Sequence, residues 1–228
     1  MEDKRSYMKI TEDKGQMNGR WLSFIERPLS SIFICLLLSS SFSLLSCSEE
    51  NTTEDEYANW QERNEAKTGQ WATLANNGTY QKILTYTKEA STPGLDNSDY
   101  VYYEVLESGD GQESPVYSDT VRVAYRGRLI PTTSYSEGYV FDQNYTGDFS
   151  WSSCGATDFA ITSSLRDGFA TAVQNMHIGD RWRVYFSYSL GYGATVSGSI
   201  PAYSNLIFDI ALIDFWHPGE QKEKFKSR

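Results

Sequence analysis

The chain has 228 residues, 30 Asp and Glu against 20 Lys and Arg, two His and three Cys. That length allows one ordinary domain with extra segments, and the acidic balance argues against nucleic acid, whose affinity rests largely on Lys and Arg at phosphates. Two His far apart, no Cys-x-x-Cys, no Gly-x-Ser-x-Gly and no phosphate-binding Gly-rich loop argue against zinc, hydrolase and nucleotide sites.

The stretch Ser30 to Leu45 is apolar, serine-rich and uncharged. It is short for a membrane span, which takes about 20 apolar residues. Arg20 and Arg27 precede it, as in the charged lead of a secretory signal. It ends in Leu44-Leu45-Ser46-Cys47, which resembles a bacterial lipobox, cut before a cysteine that then carries diacylglycerol. Plain secretion at a small-x-small site fits less well, because Leu44 stands where a small residue belongs. The expectation is a signal peptide over 1–46, with Met8 or Met17 as alternative starts. Cys47 would then anchor the chain by lipid to the bacterial cell envelope, at the periplasmic or surface face of the outer membrane. Glu49, Glu50, Glu54, Asp55 and Glu56 follow, a surface-export signal or a solvated tether. Cys154, with Cys47 acylated, has no disulfide partner and reads as a passive thiol.

Thr53 and Glu56 have capping-box spacing. A polar helix follows to about Trp71, broken by Gly69 and by Asn76-Asn77-Gly78. It is either a stalk or a helix laid on the domain by its Trp residues. Thr92-Pro93-Gly94 to Ser98 is turn-rich. The expected boundary falls there: tether and helical extension over 47–98, one folded domain over 99–217, a charged tail over 218–228.

Beyond Asp99 the pattern has period two. Tyr100 to Glu107 predicts a strand. Thr120 to Ile130 puts Val121, Val123, Tyr125 and Leu129 on one face and Arg122, Ala124, Arg126 and Arg128 on the other. Arg181 to Tyr188 alternates with Trp182, Val184, Phe186 and Tyr188 inward, and Asn205 to Asp214 with Leu206, Phe208, Ile210 and Leu212. Leu165 to Met176 has the one-sided spacing of a three-turn helix. The fold class is α+β: a curved antiparallel β-sheet wrapped around one short amphipathic helix, with an N-terminal helical extension.

Gly109-Asp110-Gly111, Pro115 and Val121 to Gly127 open a series of pieces kept in order. Val140-Phe141-Asp142, Gly168-Phe169, Met176 to Asp180, Leu190 to Gly193, Ile200-Pro201 and Leu206 to Ile210 continue it. Over roughly Asp99 to Trp216 the chain resembles the FKBP-type peptidyl-prolyl isomerases. The resemblance implies an FKBP-like domain that isomerises X-Pro bonds in an apolar pocket, with no cofactor, nucleophile or metal. It assigns catalysis to Tyr125, Phe141, Asp142, Tyr192 and Phe208, and substrate binding to Leu165, Arg166, Phe169 and Ile200. Phe169 would be the floor under the proline ring, Tyr192 a hydroxyl donor to a substrate carbonyl, and Asp142 the group facing the twisting carbonyl. The implied partners are proline-containing polypeptides and macrolide immunosuppressant-type ligands, bound by a monomer.

Four departures stand out. Phe169 replaces the usual Trp, Arg166 an apolar residue, and Ser199 a common apolar neighbour of Ile200. Phe159 lies near the family's aromatic before the helix, but its spacing does not align it. The segment 135–154, with Tyr135, Tyr139, Tyr145, Phe149 and Trp151, either reshapes the pocket rim or bulges outside. Two rivals remain: a non-catalytic module or holdase for proline segments, and an adhesin whose aromatic loop binds glycan.

Overall fold

The computed structural model describes residues 56–220. The signal segment 1–46, Cys47, the acidic run up to Asp55 and the tail from 221 lie outside the described residues. The elements are α1 (Trp60–Asn76), β1 (Gln81–Leu84), a 3-10 turn (Asn97–Asp99), β2 (Tyr100–Glu107), β3 (Thr120–Arg128), β4 (Val140–Gln143) and β5 (Thr157–Ala160). There follow the single turn α2 (Ile161–Ser164), α3 (Asp167–Val173), β6 (Arg181–Phe186), a 3-10 turn (Tyr188–Leu190) and β7 (Leu206–Trp216). All strand pairs are antiparallel, in the order β1-β2-β6-β7-β3-β4. The first half of β3 pairs with β5 and the last residues with β4. Register shifts in β2/β6, β3/β4 and β3/β7 mark bulges, which bend a sheet. The α+β architecture is the expected one.

Period two explains the inner face. Val121, Val123 and Tyr125 of β3 are buried beside Phe208, Ile210 and Leu212 of β7 and Trp182, Val184 and Phe186 of β6. The short helix α3 lies on that face with Gly168 through Val173 all buried. It is shorter than the expected three turns. Leu165 and Arg166 are extended (ψ 146° and 154°), so the helix starts only at Asp167. Met176 stays buried in the turn that follows. Strand β6 likewise ends at Phe186, because Ser187 accepts the backbone N–H of Ser189 and starts a 3-10 turn. Tyr188 therefore does not join the inward row; its hydroxyl donates to Glu65.

The outer face is covered at two places. At one, α1 lays down Trp71, 5.4 Å from the Tyr185 ring and 6.4 Å from Tyr102. Trp60 donates its indole N–H to Ser204 Oγ at 2.8 Å. The extension is thus a helix packed on the domain. It runs through Gly69, where a Cβ would meet nothing within 4 Å, and stops at Asn76. Asn59 precedes its first turn with φ 51°, and the Glu56 carboxylate accepts from Ser134 N and Oγ; Thr53, the other half of the expected box, lies outside the described residues. The expected boundary at 98/99 gives way too. Strand β1, before the turn-rich stretch, pairs with β2, after it, so that stretch is a loop inside the sheet.

At the other place, residues 145–154 fold back over Ala124 and Ala211, burying Tyr145 and Cys154. Arg126 lies over the Tyr145 ring at 4.5 Å, Arg181 over Phe149 at 4.6 Å, and Trp151 donates to Glu107 at 2.7 Å. This aromatic segment therefore packs outside, away from the inner face. Burial pushes the Cys154 thiol up, in keeping with a passive role. Arg122 and Arg128, outward in the alternation, are nevertheless buried, held by Asp158 at 2.7 Å and Asp209 at 2.8 Å. A cleft of about 150 Å³ beside α1, lined by Trp71, Tyr80, Arg128, Arg183 and Tyr185, belongs to this outer face.

Candidate functional site

The inner face gathers the aromatic residues at the end where β3 meets β4. Gly127 of β3 stands opposite Phe208 of β7 and Asp142 of β4. A Cβ on Gly127 would come within 2.6 Å of both the Phe141 and the Phe208 ring. The missing side chain is therefore what lets those rings meet, edge to face with centroids 5.5 Å apart. Phe169 rises from α3 edge-on to Phe208 (5.1 Å, 85°) and to Tyr125 (6.2 Å, 87°). Such arrangements suit the aromatic quadrupole and fix the rings relative to one another. Phe186 stacks behind Phe208 at 5.8 Å.

Tyr125 crosses from this cluster to the polar edge. Its hydroxyl donates to Asp142 Oδ2 at 2.8 Å. Burial, then the Asp142 carboxylate, hold the Tyr125 proton firmly, with a smaller contribution from Tyr192. Tyr125, Phe169, Ile200 and Phe208 are buried but each keeps 5–8% of its surface exposed, while Phe141, Leu165 and Tyr192 are half-buried. Asp142 and Arg166 are exposed. Tyr192 follows the 3-10 turn, where Gly193 N donates to the Tyr188 carbonyl and Tyr203 N to that of Gly193. Its hydroxyl has no hydrogen-bond partner among the described residues. Arg166 lies over its ring, Cζ 4.6 Å from the centroid. Ile200 is placed by a tight turn whose ends are paired, Ser197 N to Ile200 O and Ile200 N to Ser197 O.

Tyr125, Phe141, Phe169 and Phe208, named from the sequence, thus come together, with Asp142 on Tyr125. Leu165, Ile200 and Tyr192 pack on the same core, and Arg166 stacks on Tyr192. Two members, Phe186 and Gly127, escape the sequence reading of the site, and a third, Phe159, is noted there but left unaligned. Phe159 faces the cluster from β5, 5.6 Å from Tyr125 and 6.5 Å from Phe169. Its signal was a four-residue alternation over Thr157–Ala160, too short to stand out. Phe186 was read only as a core residue, and Gly127 only as part of a motif. Among the described residues no group of three or more His, Cys, Asp or Glu is placed to hold a metal ion.

Residues 111–213 match the family model described as FKBP-type peptidyl-prolyl cis-trans isomerase. The macrophage infectivity potentiator of Trypanosoma cruzi is 34% identical over 119 residues, 52% of this chain and 54% of that protein. The FKBP-type peptidyl-prolyl cis-trans isomerase FkpA of Escherichia coli is 33% identical over 112 residues, 49% of this chain and 36% of that protein. The crystal structure of FkpA from Escherichia coli aligns with TM-score 0.49 at 27% identity, over 71% of this chain and 63% of that one. The chain therefore spans about half the length of these curated relatives, or less.

Proposed function

We propose, from the match of residues 111–213 to the FKBP-type peptidyl-prolyl cis-trans isomerase family model, that the protein isomerises X-Pro bonds in exported or surface polypeptides. The barrier to rotation, about 18–20 kcal/mol, comes from resonance across the C–N bond. The planar amide is charge-separated; the twisted one has lost that separation. An apolar, water-poor pocket disfavours the first more than the second, and each ~1.4 kcal/mol of difference is tenfold in rate. The observation that carries the reading is the set of rings Tyr125, Phe141, Phe159, Phe169 and Phe208, locked edge to face, with Phe141 and Phe208 closed over Gly127.

A proline ring would lie on Phe169 beside the Phe141 and Phe208 pair, with Ile200 and Leu165 closing the sides. The unpartnered Tyr192 hydroxyl would donate to a carbonyl of the bound peptide. Asp142, oriented by Tyr125, would face the twisting carbonyl. None of these groups needs to gain or lose a proton. The same pocket would take macrolide-type ligands, and the protein would act as a monomer anchored through Cys47 in the cell envelope. A protease-coupled assay on an Xaa-Pro tetrapeptide tests the activity: the rate is expected to rise in proportion to added protein, and no rise contradicts it. Cys47→Ser is expected to release the protein from membranes, and unchanged sedimentation contradicts the anchor.

A further inference from the structure

The mouth of this site carries a cation whose donors are unused. Arg166 is exposed. Among the described residues its guanidinium has no ion pair and no hydrogen bond; it lies over the Tyr192 ring at 4.6 Å. Its backbone is fixed all the same. The Arg166 carbonyl accepts the Ala170 N–H at 2.8 Å and so begins α3, the helix that bears Phe169. The backbone that bears the charge is therefore fixed, and the guanidinium rests on Tyr192. Stacking on an aromatic face leaves the planar fork free to pair with a carboxylate. Of the carboxylates of this region, Asp142 accepts from Tyr125 and Asp167, the next residue in the chain, accepts from the Tyr86 hydroxyl. The chain as a whole has a formal charge of −10, and Arg166 is the cation among these groups.

We infer that Arg166 makes this site select peptides with an acidic residue immediately before the proline. The inference rests on the isomerase reading and adds the substrate class to it. With the proline ring on Phe169 and the preceding carbonyl taken by the Tyr192 hydroxyl, the residue before proline would lie beside the guanidinium stacked on Tyr192. A carboxylate about 6 Å from the guanidinium in a water-like dielectric gains roughly threefold in affinity. The gain falls away as salt shortens the screening length to about 3 Å at 1 M.

The test compares tetrapeptides that differ only in Glu or Gln before proline, with the full chain, by NMR exchange for rate and NMR titration for Kd. Glu is expected to win by about threefold at low ionic strength and to lose that lead at 1 M salt. In Arg166→Gln the ratio is expected to drop to one or below, because only the acidic remainder is left. Moving Glu to the position after proline is expected to remove the preference. Equal values for Glu and Gln in the wild type, or a preference that survives Arg166→Gln, would overturn the inference. If no peptide is turned over, the isomerase reading fails, and the Kd ratio alone then decides the role of Arg166.

Discussion

Asn205, just before β7, is gripped by Asn64 in the middle of α1: its backbone N–H donates to Asn64 Oδ1 at 2.8 Å and its amide nitrogen to the Asn64 carbonyl at 2.6 Å. Both residues are fully buried. The Asn205 amide also reaches Thr68 Oγ1, and its oxygen accepts the Tyr188 N–H at 3.0 Å. The segment between Tyr188 and Asn205 carries Tyr192 and Ile200. The N-terminal helix therefore props a part of the site that lies far from it in sequence.

Cutting this clasp should cost stability. Asn64→Ala leaves the Asn205 N–H without its acceptor in a dry place, at about 1–3 kcal/mol. Urea unfolding is expected to show a lowered midpoint of that size. An unchanged midpoint would mean that the helix is carried by Trp60 and Trp71 alone.

Gly127→Ala tests the gap beneath the rings. The new methyl would overlap Phe141 and Phe208, each 2.6 Å away. Overpacking of this kind costs about 1–3 kcal/mol. The account expects a folded protein by circular dichroism whose kcat/KM falls at least about tenfold, since a misplaced pocket wall loses transition-state binding. Wild-type turnover would argue that Phe141 and Phe208 need not meet.

Tyr192→Phe removes a hydroxyl that bonds to nothing in the described residues. Stability is expected to stay within about 0.5 kcal/mol, as for a surface change. The turnover of prolyl peptides is expected to fall by about five- to tenfold, from loss of one hydrogen bond worth roughly 1 kcal/mol. A drop in stability without a drop in rate would make Tyr192 a packing residue only.

His217 supplies the pH dependence. Its Nδ1 lies 2.8 Å from the Oδ1 of Asp119, a fully buried carboxylate. The hydrogen bond to Asp119, then its charge, raise the imidazole above its ordinary 6.5. A raised folded-state value means that the stabilisation is complete below 6.5 and is lost as pH climbs through the folded value. With two histidines in the chain, an NMR titration resolves the pair. His217 is expected to titrate high, and Asp119→Asn to bring it back.

What the sequence made legible follows from what repeats. The alternation in β3, β6 and β7 named the inner face, and with it Tyr125 and Phe208, because burial on one side of a sheet imposes period two. Phe159 sits on a strand of four residues, where that signal barely starts. The outer-face packing is legible only as one of two alternatives: Trp71 on Tyr185, Asn64 on Asn205 and the 145–154 segment on Ala124 are contacts between distant elements, whose partners leave no local pattern. Helix α3 is shorter than its pattern predicts because Leu165 keeps helical spacing while its backbone is extended.

The most direct measurement is two-dimensional NMR exchange on an unmodified prolyl tetrapeptide with the purified protein, read together with the protein's own aromatic resonances. The account predicts that cis–trans exchange speeds up with protein concentration and that the signals of Tyr125, Phe169 and Phe208 shift as peptide is added. Exchange that stays at the uncatalysed rate, in a folded protein whose ring signals do not move, would contradict it.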